Sequence, residues 1–210
     1  MRRHRGPWRF ATGRATTEVE RRTDSPAVRL RPARLSDVPR LAAFYVGQSP
    51  EDRAHYHPFP FNRWVVGAIF ATIVLERHVV GPLVRAFPRL AGLLLVVHTA
   101  DADPPVGYCT LRFTVGSDRI VRGLFGSFVE PMARGIGAGN ALMRGAIEAA
   151  RGLGMSYLTT TFLESNQVSA RFVARWGFTV APTLPDLRQP HERNFIGELD
   201  LARPEHRRPP

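Results

Sequence analysis

The sequence predicts an α/β domain, in which apolar strands alternate with helices along one chain. Three observations lead to this class. An apolar run at 120–129 ends before a proline, and apolar residues at helical spacing follow over 139–153. Two further strand-like segments, 89–100 and 105–116, are joined by a turn rich in aspartate and proline. With 210 residues, the chain has the length of one domain with a sizeable core.

The two ends of the chain are expected to be disordered. Residues 1–26 form a basic arm that carries seven arginines against three acids and shows no apolar periodicity. The acids of this arm argue against a transit peptide, and it has no signal-peptide apolar region. Residues 203–210 contain three prolines and are expected to fray. The folded domain is therefore predicted over 27–202.

An atypical apolar segment, 62–88, is predicted to be helical. Its first apolar run, from Trp64 to Leu75, has 12 residues, which is too short to span a bilayer. The favoured interpretation is a buried or partner-covered helix. A hydrophobic wall of a ligand pocket, or a membrane-surface element, stays open as the alternative.

The next two predicted strands, 89–100 and 105–116, contain the only cysteine of the chain, Cys109. A single cysteine excludes an internal disulfide framework. Because Cys109 lies in an apolar strand, we expect it to be a buried small hydrophobic residue and not a nucleophile.

A glycine-rich loop follows the third predicted strand. Pro131 cannot donate to a sheet ladder and is expected to end the strand, and Gly154 lies where a helix C-terminal glycine belongs. Gly135, Gly137 and Gly139 fall between the strand and the first helical turn. Glycines there let a ligand approach the backbone, and free N–H groups at a helix N-terminus attract anions. The loop therefore predicts a phosphate or pyrophosphate site.

Two phosphate-binding patterns compete for this loop. The dinucleotide fingerprint G-x-G-x-x-G needs its first glycine directly after the strand. Gly135 and Gly137 fit, but Asn140 occupies the third glycine position and five residues separate strand from glycine. Glu164 would be the ribose-binding acid, so a dinucleotide-binding oxidoreductase stays open. The Walker loop requires a lysine, and the chain contains none.

The loop sequence RGIGAG, 134–139, resembles the R/Q-x-x-G-x-G/A signature of the GNAT superfamily of N-acetyltransferases. The lead-in, Phe128-Val129 and then Pro131, is similar to that family's V-x-P-x-x-R-G. Residues 28–44 also look like the family's opening strand and helix, with Ser36 as N-cap and Pro39 in the first turn.

A second motif, 166–178, resembles the family's N-x-x-A-x-x-L/F-Y-x-x-x-G-F. Asn166, Phe172 and the pair Gly177-Phe178 match at the right spacing. Ser169 replaces the usual alanine, and Val173 replaces the usual tyrosine. The resemblance covers about residues 27–201, with a poor fit at 57–90.

The resemblance implies the GNAT fold, a central mixed, mostly antiparallel twisted sheet of about six or seven strands flanked by helices. It implies acetyl-CoA as co-substrate, with the pyrophosphate on the glycine loop and a backbone N–H near the end of the fourth strand as donor to the thioester oxygen. The implied coenzyme-binding residues are Phe128, Val129, Arg134, Gly135, Ile136, Gly137, Ala138, Gly139, Asn140, Asn166 and Phe172.

The implied reaction moves an acetyl group directly to a primary amine of a small molecule or peptide. The amine must be neutral to attack, so a base or a water chain removes its proton. The candidate catalytic residues are Asn166, Ser169 in place of the missing tyrosine, and Glu164 as a base. His55 and His57 are further candidates by titration range. Because the tyrosine and the strand acid of many members are missing, a non-catalytic acetyl-CoA-binding regulatory module stays open.

The net charge of +11 does not predict a nucleic-acid partner. All 29 basic residues are arginines, and no basic helix or aromatic-interleaved motif is present. The His55-x-His57 pair lacks cysteines or an acidic cluster, so no metal site is expected. The sequence predicts a cytoplasmic protein without a transmembrane segment. Formation of a homodimer stays open.

Overall fold

The computed structural model of the chain describes residues 21–22, 28–55, 62–79, 92–99, 104–115, 120–183 and 191–202. The strands within these residues are β1 (Arg21–Arg22), β2 (Val28–Pro32), β3 (Gly92–Thr99), β4 (Gly107–Val115), β5 (Val121–Val129), β6 (Tyr157–Leu163), β7 (Thr179–Thr183) and β8 (Asn194–Asp200). The α-helices are α1 (Val38–Val46), α2 (Pro50–His55), α3 (Arg63–Val79), α4 (Ala138–Gly152) and α5 (Gln167–Arg175). Short 3₁₀ turns lie at Leu35–Asp37 and Pro131–Ala133.

The strands form one mixed sheet in the order β1-β2-β3-β4-β5-β6-β8-β7. Neighbouring strands are antiparallel except β5 and β6, which are parallel. The predicted fold class is confirmed, and the strand beyond the predicted seven is the two-residue β1. The parallel sheet of a dinucleotide-binding fold differs from this topology, so the oxidoreductase alternative is wrong.

Each face of the sheet carries its own apolar core. Helix α4 covers one face, where its small residues allow close approach: a Cβ on Gly145 would overlap the side chain of Leu30. Cys109 is fully buried in this core, as predicted. Helices α1 and α3 cover the other face, against Tyr108 and Phe128. The two cores therefore cover both faces of the sheet.

Helix α3 occupies the predicted apolar segment, over Arg63–Val79. Val66, Phe70 and Ile73 are buried, which confirms a helix that faces the core, but Trp64 is 86% exposed at its start. Residues 80–91 lie outside the described part of the chain. Among the described helices, none has both the length and the apolar character needed to cross a membrane.

The opening of α1 differs from the sequence prediction. Ser36 is exposed and lies inside a 3₁₀ turn, so the N-cap of α1 is Asp37 and the prediction of Ser36 is wrong. Asp37 accepts hydrogen bonds from the Arg34 N–H at 2.7 Å and from Arg31 at 2.6 and 2.9 Å. Burial alone would raise the pKa of Asp37. The hydrogen bonds and the arginine charges together lower it by a larger amount, so the pKa of this carboxyl lies below its ordinary value. The carboxylate thus joins β2 to α1. Pro39 lies in the first turn of α1, as predicted.

Strand β1 lies in the segment predicted as a disordered arm. Arg21 and Arg22 pair with Leu30 and Arg29 at the edge of the sheet. The arm is therefore ordered at these two residues, because the exposed edge of β2 offers backbone partners to any nearby chain. Residues 1–20, 23–27 and the predicted tail, 203–210, lie outside the described part.

Candidate functional site

Strands β5 and β6 stay together only at their beginnings. Residues 122–124 of β5 pair with 157–159 of β6. Both strands continue, to Val129 and Leu163, and no further pairing between them is found along these fully described strands. A cleft therefore opens between their C-terminal halves, and one edge of β5 lines it.

The backbone of Val129 faces this cleft. The N–H of Glu130 donates to the Val106 carbonyl next to β4, at 2.9 Å. Because backbone groups alternate in direction along a strand, the N–H and carbonyl of Val129 point the other way, toward the β6 side. The backbone N–H and carbonyl of Phe128 point toward its partner Tyr108 on β4. The register therefore favours Val129 over Phe128 as the predicted backbone donor.

The glycine loop places an open helix N-terminus beside the end of β5. Gly135 and Gly137 have φ values of 84° and 93°, a left-handed conformation that favours glycine. Gly137 is the N-cap of α4, and its carbonyl accepts the first helical bond, from the Ala141 N–H at 2.9 Å. The cap makes no side-chain hydrogen bond. The N–H groups of the first helical turn, residues 138–140, therefore have no intrahelical acceptor and attract an anion.

The remaining loop residues support this N-terminus. Ala138 is buried and Ile136 packs partly against the same core. The side-chain oxygen of Asn140 accepts a hydrogen bond from the Trp176 indole at 3.4 Å. Gly139 lies beside Phe172, whose ring would be 3.6 Å from an added Cβ. The predicted loop residues and Phe172 are thus brought together, with α5 against the start of α4.

Arg134 connects the loop to two other elements. Its Nε donates to the Val129 carbonyl at 3.2 Å, and its Nη2 donates to Asp52 of α2 at 2.9 Å. The Arg134 side chain is 49% exposed. The guanidinium therefore lies at the mouth of the cleft, where a negatively charged ligand can reach it.

The loop after β6 holds the other predicted residues. Asn166 is the N-cap of α5, and its Oδ1 accepts the Ser169 N–H at 3.0 Å. Glu164 is exposed and lies 3.6 Å from Arg193 across the surface. Glu164 also lines a shallow open pocket next to Phe162 and Phe195. Asn166 and Ser169 are therefore joined, whereas Glu164 is paired with a surface arginine.

Two side chains of this region lack acid–base capacity at neutral pH. Val173 replaces the family tyrosine and is buried in the α4 core, so no hydroxyl is available there. Burial raises the pKa of Cys109 to about 12, so its thiol stays protonated. Glu130, outside the predicted set, pairs with Arg40 at 3.3 Å.

The sequence analysis named His55 as a candidate by its titration range, but it did not predict the short helix α2 or the contacts that bring His55 to the cleft. Asp52 bonds to Arg134, and at the other end of the helix Nδ1 of His55 lies 3.3 Å from Oγ of Ser165. Ser165 donates to Glu192 at 2.6 Å. We call these contacts the α2 bridge, since they join α2 to both sides of the cleft. His57 lies outside the described residues, and the described part contains no group of three potential metal ligands.

Comparison with known proteins agrees with this geometry. Residues 85–178, which contain β3 to β6, the glycine loop and α5, match the profile of the Acetyltransferase (GNAT) family. The chain contains a GNAT acetyltransferase domain. Its enzyme class is therefore that of the acyltransferases, as the sequence predicts.

Solved structures share the GNAT fold at low identity. The structure of yncA, a putative acetyltransferase from Salmonella typhimurium with acetyl-CoA, has a TM-score of 0.61 and 19% identity, and the match covers 85% of this chain and 98% of that one. Mycobacterium smegmatis RimJ with CoA-disulfide has a TM-score of 0.61 and 15% identity, over 84% and 83%. The microcin C7 self immunity acetyltransferase MccE with acetyl-CoA and AMP has 0.63 and 12%, over 83% and 92%. A comparison with curated protein sequences finds no match.

Proposed function

We propose that this GNAT domain is an acetyl-CoA-dependent N-acetyltransferase that moves an acetyl group directly to a primary amine. One observation carries the proposal: the free edge of β5 ends at Val129 beside the uncapped N-terminus of α4. A strand edge with free hydrogen-bonding groups thus lies next to a helix N-terminus of the kind that attracts anions.

Acetyl-CoA fits these two features. Its pyrophosphate would accept the N–H groups at the start of α4, and Arg134 would supply charge. Its pantetheine arm would bond to the cleft edge of β5 as an added strand does. The thioester oxygen would then accept the Val129 N–H, which stabilises the negative charge that develops on that oxygen during transfer.

The transfer step itself requires groups that handle the amine proton and the leaving thiolate. The attacking nitrogen loses a proton, the C–S bond breaks, and the coenzyme A thiolate leaves. Asn166 would bind the arm or order a water, and Ser169 would reach the leaving group through its hydroxyl. A thiol leaves readily as thiolate near neutral pH, so the valine at 173 does not exclude catalysis. Glu164 is a weaker base candidate because it pairs with Arg193.

The acceptor is proposed to be a small-molecule or peptide amine, and the proposed location is the cytoplasm. Among similar structures, RimL is named a ribosomal L7/L12 alpha-N-protein acetyltransferase, and MccE was solved with AMP. A test panel of primary amines therefore includes a peptide with a free N-terminus and an amine that carries an adenosine monophosphate group. An N-terminally blocked lysine peptide and an amino sugar add two further amine classes.

Release of coenzyme A thiol from acetyl-CoA, measured with each panel amine, tests the proposal. We expect release that depends on one class of amine and acetyl-CoA binding without any amine. The second candidate, a non-catalytic coenzyme-binding module, is favoured by the buried valine in place of the tyrosine. It predicts the same acetyl-CoA binding, but for every amine the rate of thiol release equals the rate measured in buffer without the protein.

A further inference from the structure

Three side chains from distant parts of the chain form a hydrogen-bonded row at the cleft. His55 Nδ1 lies 3.3 Å from Ser165 Oγ, and Ser165 Oγ lies 2.6 Å from Glu192 Oε2. None of the three has a role in the function proposed above. The separations along the chain are 110 and 27 residues, so only the fold brings the row together.

The row determines which nitrogen of His55 carries a proton. An ionised glutamate only accepts hydrogen bonds, and a serine hydroxyl has one hydrogen to donate. Ser165 donates that hydrogen to Glu192, so its oxygen must accept from His55. Nδ1 of a neutral His55 is then the N–H nitrogen, and Nε2 carries the free lone pair. The imidazole is thereby prepared to accept a proton at Nε2.

Helix α2 holds His55 at the cleft. Arg53 donates to the carbonyls of Val46 and Gln48, which fixes α2 to the end of α1. One turn before His55, Asp52 bonds to Arg134, whose Nε is bound to the Val129 carbonyl. His55 is therefore tied to the β5 side through Asp52, and to the β6 side through its own ring. These contacts connect His55 to the end of β5, which carries the proposed oxyanion donor, and to the loop that precedes α5.

We propose that His55 is the general base of the acetyl transfer, with Ser165 and Glu192 as positioning residues, an inference that rests on the function proposed above. Nε2 takes the proton of the amine as the nitrogen attacks the thioester carbon. The C–S bond then breaks, and the imidazolium returns the proton to the coenzyme A thiolate. The proton balance closes without the tyrosine hydroxyl that Val173 replaces.

Several charged groups lie on the segments that hold this imidazole. On α2, Asp52 is neutralised by Arg134, and Arg53 is bound to carbonyls. On the loop after β6, Glu164 is paired with Arg193. Glu192 is the carboxylate that reaches His55 through Ser165, and it stabilises the imidazolium that forms.

An NMR measurement tests the row without any substrate. In ¹⁵N-histidine-labelled protein, long-range ¹H–¹⁵N correlation spectra report which ring nitrogen carries the proton, and His55→Gln assigns the signal. We expect the Nδ1–H tautomer for His55 in the wild type and the Nε2–H tautomer in Ser165→Ala. An Nε2–H tautomer in the wild type would overturn the proposal even if no acceptor is turned over.

A kinetic measurement tests the role in catalysis, with acetyl-CoA and a peptide that has a free N-terminal alanine as probes. His55→Gln should lower kcat by about 100-fold or more, remove the acid limb of the pH profile and leave acetyl-CoA affinity unchanged. Added imidazole should restore part of the rate. Glu192→Gln should keep the row but lower kcat without changing acetyl-CoA affinity, because the negative charge that stabilises the imidazolium during transfer is lost.

Glu51→Gln is the matched control, because Glu51 is an exposed acid on the same helix. It should leave both kcat and the pH profile unchanged. If the wild type turns over the peptide and His55→Gln is as fast, the base assignment is wrong and the proposed function stands. If the wild type releases no thiol from any panel amine, the proposed function fails, and the tautomer measurement alone then judges the row.

Discussion

The glycine loop and the α2 bridge meet at one cleft, through the contact of Arg134 with Asp52, and they differ in how the chain builds them. The loop, residues 130–140, is continuous in sequence, and its proposed role depends on backbone N–H groups at the start of α4. The α2 bridge consists of side chains that meet only in the folded chain: those of α2, Arg134, the loop after β6 and the turn before β8. The first kind of site is visible in a sequence pattern, and the second is not.

The difference follows from the chemistry of each side. Every acetyl-CoA molecule presents the same phosphates and the same arm, so a short backbone motif is sufficient to bind it. The acceptor differs among enzymes of one fold, so the residues that meet it vary and lie on connecting segments. Specificity and proton transfer in this chain are therefore expected to depend on α2 and its partners.

Gly137→Val should have the largest effect and tests the loop side alone. Loss of two charge-assisted N–H contacts at about 1.5–3 kcal/mol each predicts an acetyl-CoA affinity lowered by about 100-fold or more. Isothermal titration calorimetry with acetyl-CoA measures this change. Gly154→Val is the matched control: Gly154 has φ 75° at the other end of α4, so it shares the backbone strain without facing the anion site. Equal affinity in both variants would remove the loop from the coenzyme site.

Asn166→Asp should have an intermediate effect. It tests whether Asn166 contacts the ligand or only caps α5. The aspartate can still accept the Ser169 N–H, so the melting temperature should stay constant, while loss of the amide donor should lower turnover or affinity about tenfold. Asn166→Ala is the comparison variant and should lose about 1 kcal/mol of stability with the cap. If the aspartate variant matches the wild type in melting temperature, affinity and turnover, Asn166 is only a helix cap.

Asp52→Asn should have a smaller effect, which raises the affinity for acetyl-CoA and lowers kcat. Removing a carboxylate from the neighbourhood of Arg134 should raise acetyl-CoA affinity about twofold to threefold at low salt. The same change loosens α2, so kcat should fall by up to about tenfold. Calorimetry at two salt concentrations and steady-state kinetics separate the two. A fall in affinity would show that Asp52 orients Arg134 for the coenzyme and does not compete with it.

Cys109 should give the smallest effect, because it belongs to neither side. Burial raises the pKa of its thiol to about 12, so the folded protein should not react with iodoacetamide at neutral pH, and activity should be unchanged after treatment. Since the folded state holds this proton more tightly than the unfolded state, stability should fall as pH rises above about 9 toward 12. Rapid labelling at pH 7, followed by mass spectrometry, would contradict the buried position.

Much of the fold could be predicted from the sequence because it depends on local patterns. The strand before Pro131, the helix after the glycines, the final Gly154 and the cap at Asn166 are all set by backbone rules within a few residues. The cap of α1 was predicted at Ser36, and the structure places it at Asp37, because the pairing of Asp37 with Arg31 of β2 inserts a 3₁₀ turn there.

The site could be predicted only in part, for the same reason. The loop residues and Phe172 meet as expected because α4 and α5 follow from two motifs. The contact of His55 with Ser165 could not be predicted, since it depends on the path of the chain over 110 residues. The direction of the Val129 N–H required the register of β4 against β5, which no local pattern determines.

The amounts of coenzyme A thiol and of acetylated amine, measured by mass spectrometry in one reaction, decide whether the domain transfers acetyl groups to an amine. We expect one acetyl amide for each thiol released by the wild type with its preferred panel amine, and neither product from Gly137→Val at the same acetyl-CoA concentration. Thiol release without acetyl amide would show hydrolysis of acetyl-CoA in place of transfer. Tight binding of acetyl-CoA with neither product from any amine would contradict catalysis and identify the domain as a coenzyme-binding module.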